Sequence, residues 1–360
     1  MQTFTSDTDA QPQAVTVAID AMGGDFGPEI TVPGANIIHE ENRDIRFIFF
    51  GDESRINPYL NKYESLRNSS RVVHTDKKVS GDDKPSAALR ASKGTSMRMA
   101  IEAVADGRAQ AVVSAGNTGA LMAMAKVVLR MLPGIHRPAL ASIFPGLKGS
   151  TIMLDLGANV LVDAETLVQF AVLGSVFAKA HKNIPAPTVG LLNIGSEEMK
   201  GPDHVRSASE ILSKVEFSGV YKGFVEGDDI TKGTVDVIVC DGYAGNIALK
   251  TGEGVGKLTG HYFKEAITSD PLAILGGALA FFAMRRFKRK VDPRIYNGAV
   301  FVGLNGLCIK SHGGTDALGF SSAIRLSSQL ARQGYVKKVA DEINRLMSQD
   351  SFLAQGAYEV

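Results

Sequence analysis

The feature that most constrains this chain is an alternation. Short apolar, β-rich runs fall at 15–20, 46–51, 71–75, 111–115, 139–144, 151–155, 188–194, 220–225, 235–240 and 299–309. Between them lie longer stretches of helical character at 28–42, 86–91, 95–105, 118–131, 164–180, 203–214, 245–267, 271–288 and 336–347. Several runs are continuously apolar, as strands buried on both faces are. The sequence therefore predicts an α/β fold with a mainly parallel sheet and helices on both faces. No repeat of fixed period and no linker-like stretch interrupts 15–348, which reads as a single α/β unit, at most bilobed. Polar residues 1–14 read as a disordered tail without the basic start and apolar stretch of a signal peptide, and 349–360 as a C-terminal tail.

Composition narrows the function. Lys+Arg and Asp+Glu nearly balance, 39 against 38, so the basic footprint of a nucleic-acid binder is absent. Two cysteines, Cys240 and Cys308, sit in apolar runs without a CxxC motif. They read as buried reduced thiols of a cytosolic protein. Glycine is in excess, at 38 of 360 residues against a usual level of about 7%. Glycine serves where backbone turns tightly or approaches a ligand, so its location matters more than its count.

In open α/β sheets, ligands bind beyond the carboxyl ends of the strands. After 15–20 comes Ala21-Met22-Gly23-Gly24-Asp25-Phe26-Gly27-Pro28, a Gly-rich loop opening a helix whose start can hold an anion. It is not GxGxxG, and so gives little support for a dinucleotide. Asp25 is an N-cap or a ligand contact. After 111–115, Gly116-Asn117-Thr118-Gly119 offers Asn117 or Thr118 as N-cap or substrate contact. After 151–155, Asp155-Leu156-Gly157-Ala158-Asn159 offers two polar side chains that either bind substrate or form the turn. Lys200 follows 188–194 on a strand-end loop, as a ligand contact or a solvated charge. Asn246 follows 235–240 as an amide donor or cap at a helix start. His312 follows 299–309, beside Gly313, as a ligand contact or a structural histidine.

Several familiar motifs are absent. Gly252-Glu253-Gly254-Val255-Gly256-Lys257-Leu258 resembles a P-loop, but the first glycine is misplaced and Leu258 stands where Ser/Thr would hold Mg²⁺. GxSxG, HExxH and His-containing metal spacings do not occur.

Six ordered motifs carry a resemblance. They are Val17-Ala18-Ile19-Asp20-Ala21-Met22-Gly23-Gly24-Asp25, Ser114-Ala115-Gly116-Asn117-Thr118-Gly119-Ala120, Leu154-Asp155-Leu156-Gly157-Ala158-Asn159-Val160, Leu192-Asn193-Ile194-Gly195-Ser196-Glu197-Glu198, Asp241-Gly242-Tyr243-Ala244-Gly245-Asn246-Ile247-Ala248-Leu249-Lys250 and Gly303-Leu304-Asn305-Gly306-Leu307-Cys308-Ile309-Lys310-Ser311-His312-Gly313. Over about 15–345 the chain resembles the acyl-ACP:phosphate acyltransferase (PlsX) family. One departure is Leu161-Val162-Asp163, where the family pattern places Asp and then a Cys- or Ser-like residue directly after Val160.

The resemblance implies an α/β/α sandwich similar to isocitrate and isopropylmalate dehydrogenases and related to phosphotransacetylase. It implies transfer of a long-chain acyl group from the phosphopantetheine thioester of acyl carrier protein to inorganic phosphate, with no cofactor and no metal. It further implies a cytoplasmic homodimer, peripherally bound to the inner face of the cell membrane. Its acyl phosphate would pass to a membrane glycerol-3-phosphate acyltransferase for phospholipid synthesis. Such chemistry suits a site without a nucleophile. Phosphate is already anionic, and a thiol with a pKa of about 8.5 leaves readily. What remains is positioning, charge neutralisation and oxyanion stabilisation. By resemblance the catalytic residues are Lys200 and Asn246. Further contacts are Gly24, Asp25, Lys93, Asn117, Thr118, Asp155, Asn159, His312 and Gly313.

The segment 268–292 stands apart. Residues 271–284 are uncharged, and five of the six residues 285–290 are cationic. Leu272, Leu275, Leu279 and Phe282 share a helical face, next to Phe281, and Arg285, Arg286 and Lys288 belong to the basic block. This reads as a surface or dimer helix, a dock for anionic lipid, or a receptor for acidic carrier protein. At 14 residues the uncharged stretch is too short to span a bilayer. Rival readings are a CoA-dependent phosphotransacetylase, a nicotinamide-dependent decarboxylating dehydrogenase and a non-catalytic membrane or carrier-protein binding module. The dehydrogenase would need an Asp metal set and a dinucleotide loop, which are not found.

Overall fold

The computed structural model describes residues 14–348. The expected tails at 1–14 and 349–360 thus lie, apart from Ala14, outside the described residues, as do the side chains of Lys288 and Lys290. Eleven strands of the described residues form one sheet: β1 (Thr16–Asp20), β2 (Arg46–Gly51), β3 (Ser70–His74), β4 (Ala111–Ser114), β5 (Ala139–Gly146), β6 (Gly149–Leu154), β7 (Thr188–Leu192), β8 (Val220–Val225), β9 (Val237–Val239), β10 (Ala299–Val302) and β11 (Leu307–Lys310). Their order is β3-β2-β1-β4-β11-β10-β5-β6-β9-β7-β8. Successive residues of a strand face opposite sides. Val17, Ile19, Ile152 and Leu154 enter one core layer; Ala18 and Met153 enter the other. Both faces are covered, which is why the strands read as continuous apolar runs.

One layer holds α1 (Pro28–Glu41), α2 (Glu53–Leu60), α3 (Glu64–Asn68), α7 (Ala164–Lys182), α8 (Asp203–Leu212), α13 (Ala317–Arg332) and α14 (Tyr335–Ser348). The other holds α4 (Pro85–Arg90), α5 (Ser96–Ala105), α6 (Thr118–Val128), α9 (Asp229–Lys232) and the start of α10 (Gly242–Thr268). The expected α/β/α layering follows directly. Two more helices, α11 (Pro271–Leu279) and α12 (Phe281–Val291), continue from α10.

The sheet's direction changes at its centre. Pairings β10–β11, β10–β5 and β5–β6 are antiparallel, and the other seven are parallel. Hence β1, β4 and β11 run opposite to β6, β9 and β7. A plain opposition would put their carboxyl ends on opposite edges. The register prevents this. One transverse row passes through Asp20, Ser114, Lys310, Ala299, Ser142, Met153, Ile238 and Gly190. Asp20 ends β1, while Asp155 lies only two residues beyond Met153. The two sets of strand ends are therefore offset by about 7 Å along the strands. From β11 to β6 is three strand spacings, about 14 Å.

Several elements differ from expectation, among them the short helices α2, α3 and α9, which were not expected. The run 299–309 is two antiparallel strands, β10 and β11, because the chain reverses over 303–306; an apolar run alone does not reveal a reversal. Helix α13 was not expected, since Ser321, Ser322, Ser327 and Ser328 dilute its apolar pattern. Their hydroxyls instead donate to carbonyls three or four residues back, and Asp316 caps the helix by accepting from the Gly319 N–H. Helix α10 starts at Gly242 and not Gly245, because Asp241 is its N-cap and accepts from the Ala244 N–H at 2.7 Å. The single helix expected over 271–288 is two, separated at Ala280.

Candidate active site

The first group of site residues lies at the carboxyl ends of β1, β4 and β11. Gly24 adopts φ +80°, and a Cβ there would stand 2.9 Å from both the Ala115 Cβ and the Gly313 carbonyl oxygen. Only glycine allows this approach of three loops. The Asp25 N–H donates to the Gly313 carbonyl at 3.1 Å. The N-cap position of α1 is Gly27, so Asp25 is not the cap. Asn117 is the N-cap of α6, accepting from the Ala120 N–H at 2.9 Å. Its amide also donates to the Gly81 and Asp83 carbonyls, tying the loop before α4 to the site. Thr118 and Lys93 are exposed, Lys93 on the turn between α4 and α5. The His312 N–H donates to Asn297 Oδ1 at 3.0 Å, and its Nδ1 accepts from the Gly314 N–H at 3.2 Å. The ring is thus oriented by its own loop.

Beneath these loops lies a cluster that sequence reasoning missed. Asp20 is 1% exposed. Its Oδ2 accepts from Ser114 Oγ at 2.6 Å, and its Oδ1 has no hydrogen-bond partner among the described residues. Burial raises its pKa, against the lowering effect of Ser114, Ser96 and the Met22 N–H. Lys310 ends β11, level with Asp20 and Ser114 in the row described above. Its ammonium donates to the Ala115 carbonyl at 3.2 Å and to the Ser311 carbonyl. Burial pushes its pKa down to about 8; Asp20 and Asp25 pull it up, and Lys250 adds to the lowering. A lysine closing an apolar run was the available signal.

The second group lies at the carboxyl ends of β6, β7 and β9. Asp155 is 0% exposed. Its oxygens accept from the N–H groups of Leu140, Gly157, Ala158 and Asn159 and from the Asn159 side-chain amide, at 2.7–3.3 Å. Asn159 also donates to the Pro138 carbonyl. Of the two readings offered for these side chains, substrate contact and turn formation, the hydrogen bonds support the second. They build the framework of the 155–159 loop: both Asp155 oxygens and the Asn159 amide NH2 are bonded inside the chain. A Cβ on Gly245 would stand 1.9 Å from the Asp155 carbonyl oxygen, so α10 starts directly against this loop. Asn246 then projects beside Gly157, whose Cβ position is 3.4 Å from the Asn246 Cβ. Asn246 lies inside α10 and is not its cap.

Lys200 is held from behind. Asn193 accepts from the Ile194 N–H and donates to the Lys200 carbonyl, both at 2.9 Å. The Lys200 ammonium is exposed and pairs with Glu197 Oε1 at 2.7 Å, which raises its pKa. His204, at the start of α8, stands 3.8 Å from Asp241, so the starts of α8 and α10 lie side by side. Two turns into α10, Lys250 acts electrostatically on Lys310.

No activated thiol is present among these residues. Burial raises the pKa of both Cys240 and Cys308, and Asp155 and Asp241 raise Cys240 further. Asp163, in the segment that departs from the family pattern, is the N-cap of α7 and accepts from the Thr166 N–H at 2.8 Å. Among the described residues, no group of three or more His, Cys, Asp or Glu is placed to hold a metal ion.

The sequence and the fold have known counterparts. The sequence profile of the fatty acid synthesis protein family matches residues 15–338. The chain belongs to that family. It is 54% identical over 332 residues to a protein of Rhodospirillum centenum named phosphate acyltransferase, covering 92% of this chain and 94% of that one. A protein of the same name from Caulobacter vibrioides is 46% identical, covering 96% of each chain. Among solved structures, a phosphotransacetylase from Streptococcus pyogenes superposes with a TM-score of 0.60 at 17% identity, covering 88% of this chain and 94% of that one. The EutD phosphotransacetylase from Staphylococcus aureus gives 0.55 at 16% identity, covering 91% and 95%. At these identities the likeness is one of fold.

Proposed function

We propose that the chain is a phosphate acyltransferase that moves a long-chain acyl group from the thioester of acyl carrier protein to inorganic phosphate, yielding acyl phosphate for phospholipid synthesis. The observation that carries this reading is the 54% identity, along 92% of the chain, to a phosphate acyltransferase. A phosphate oxygen attacks the thioester carbonyl, a tetrahedral oxyanion forms, the C–S bond breaks and the thiolate leaves. With both thiols buried and their pKa values raised, direct attack by phosphate is preferred to an acyl-enzyme. Lys200 exchanges Glu197 for phosphate or the oxyanion, and Asn246 donates to the thioester carbonyl or to phosphate. Gly24, Asp25, Lys93, Asn117, Thr118, His312 and Gly313 frame the substrate.

The exposed helices serve location. Leu272, Leu275, Leu279, Phe281 and Phe282 are all exposed, from 56% to 83%, next to Arg285 and Arg286. No helix of the described residues is long and apolar enough to cross a membrane. We infer docking on anionic lipid, where each cation near the surface adds about 1 kcal/mol. The enzyme works there as a homodimer and passes acyl phosphate to a membrane glycerol-3-phosphate acyltransferase. Phosphate-dependent loss of acyl carrier protein thioester, with hydroxylamine trapping of the product, tests the reaction. Activity with acyl-CoA alone would replace the carrier-protein donor by CoA. Liposome flotation at low and high salt tests the docking, and absence of flotation at low salt removes it.

A further inference from the structure

We propose that Lys310 holds a phosphate group in the β1–β4–β11 half of the site, and that Asp20 is the buried positioning residue that keeps Lys310 charged. This deepens the function proposed above and rests on it for the nature of the anion. Lys310 ends a central strand, its side chain neither fully buried nor exposed. The residues it touches, Ala115 and Ser311, are small. Two protons of the ammonium go to the Ala115 and Ser311 carbonyls. Among the described residues, no carboxylate pairs with it within 4.0 Å. A cation in a part-dry site that is bonded only to neutral carbonyls keeps a proton and a full charge for an incoming anion.

Asp20 explains how that charge survives burial. Ser114 Oγ fixes one oxygen. Among the described residues the other is buried and accepts no hydrogen bond, and the charge of the carboxylate favours the Lys310 ammonium through space. The charged groups acting on Lys310 are Asp20 and Asp25, which favour its ammonium, and Lys250, which opposes it. A bound phosphate dianion adds to the first two. Phosphate binding is thus strongest below the lysine's pKa and weakens as pH rises through it.

A phosphate group can reach the site as inorganic phosphate or on the phosphopantetheine arm of the carrier protein, and two measurements separate these sources. One is the rise in melting temperature that inorganic phosphate alone gives the full-length protein. The other is the KM for phosphate and for acyl carrier protein, by hydroxylamine trapping. Lys310→Met is expected to abolish the phosphate-induced rise and to increase KM for phosphate roughly 10- to 100-fold, the worth of a charged hydrogen bond. Lys310→Arg restores part of both. Asp20→Asn moves the upper pH limit of phosphate binding to lower pH, a change that a purely structural role does not produce. An increase confined to the KM for acyl carrier protein assigns Lys310 to the phosphate of the arm. Unchanged KM values and an unchanged melting rise in Lys310→Met overturn the inference. Should Lys310→Met not fold, an unmoved pH limit in Asp20→Asn overturns it instead. If the wild-type protein forms no acyl phosphate, the parent reading fails, and the phosphate-induced melting rise still judges Lys310.

Discussion

Asp20 and Asp155 occupy comparable places and behave in opposite ways. Each closes a strand of the same sheet, each is almost fully buried, and burial raises the pKa of each. Asp155 is saturated by five N–H donors. Among the described residues, Asp20 accepts a short hydrogen bond from a hydroxyl on one oxygen and none on the other, with Ser96 and the Met22 N–H adding only weaker support. A saturated buried carboxylate is architecture: its removal strands several donors. A half-satisfied one spends its charge on a neighbour, here Lys310. The two halves of the site differ in the same sense. The β6–β7–β9 half has a rigid framework presenting an exposed lysine, Lys200. The β1–β4–β11 half has a part-buried lysine in a tight nest of loops.

The comparison can be broken in four places. The largest effect is expected from Lys200→Ala and Asn246→Ala, each lowering kcat about 100- to 1000-fold, as loss of an oxyanion donor does. Near-wild-type acyl-phosphate formation by both variants would remove these residues from the mechanism. Next, Asp155→Ala should cost about 2–4 kcal/mol in urea unfolding, since several buried N–H groups lose their acceptor. Asp20→Asn should cost less than about 1 kcal/mol, since the amide oxygen can still accept from Ser114 Oγ. Equal losses for the two would erase the distinction.

A smaller effect concerns pH. Lys310 has a pKa of about 8 in the folded chain, below its ordinary 10.5. Between these values the native state binds fewer protons than the unfolded state, so this residue makes stability rise with pH. Lys310→Met should flatten that rise, and denaturant midpoints at pH 8 and pH 10 in both proteins check it. The smallest effect is expected from Glu197→Gln. Its ion pair with Lys200 is solvent-exposed, and such pairs contribute little. The melting temperature should barely move, while the Lys200 pKa falls toward its ordinary value. A lower KM for phosphate would show that Glu197 competes with substrate.

Much of this site was legible because glycine and short polar residues mark strand ends locally. The loops at Gly24, Asn117, Asp155 and Asn246 all close on their neighbours as their position after strands suggested. The roles within them were less legible. Asp155 and Asn159 read equally as substrate ligands or turn formers, and their bonds to the Leu140 N–H and the Pro138 carbonyl, 15 and 21 residues away, lie outside any local window. Lys310 stands in a quoted motif but reads as the end of a strand. Its partner Ala115 is 195 residues distant, and no window along the chain contains both.

The sequence by itself determined the layers, the strand-end loops and the family. Hydrophobic periodicity and glycine placement are local properties, and they survive reading one residue at a time. Only the tertiary structure decided that the central strands reverse, and that the register shift brings two opposed sets of strand ends to within about 7 Å of one level. It alone separated the carboxylate that builds a loop from the one that holds a lysine charged. That difference lies in how many donors converge on each buried oxygen, and the donors arrive from distant parts of the chain.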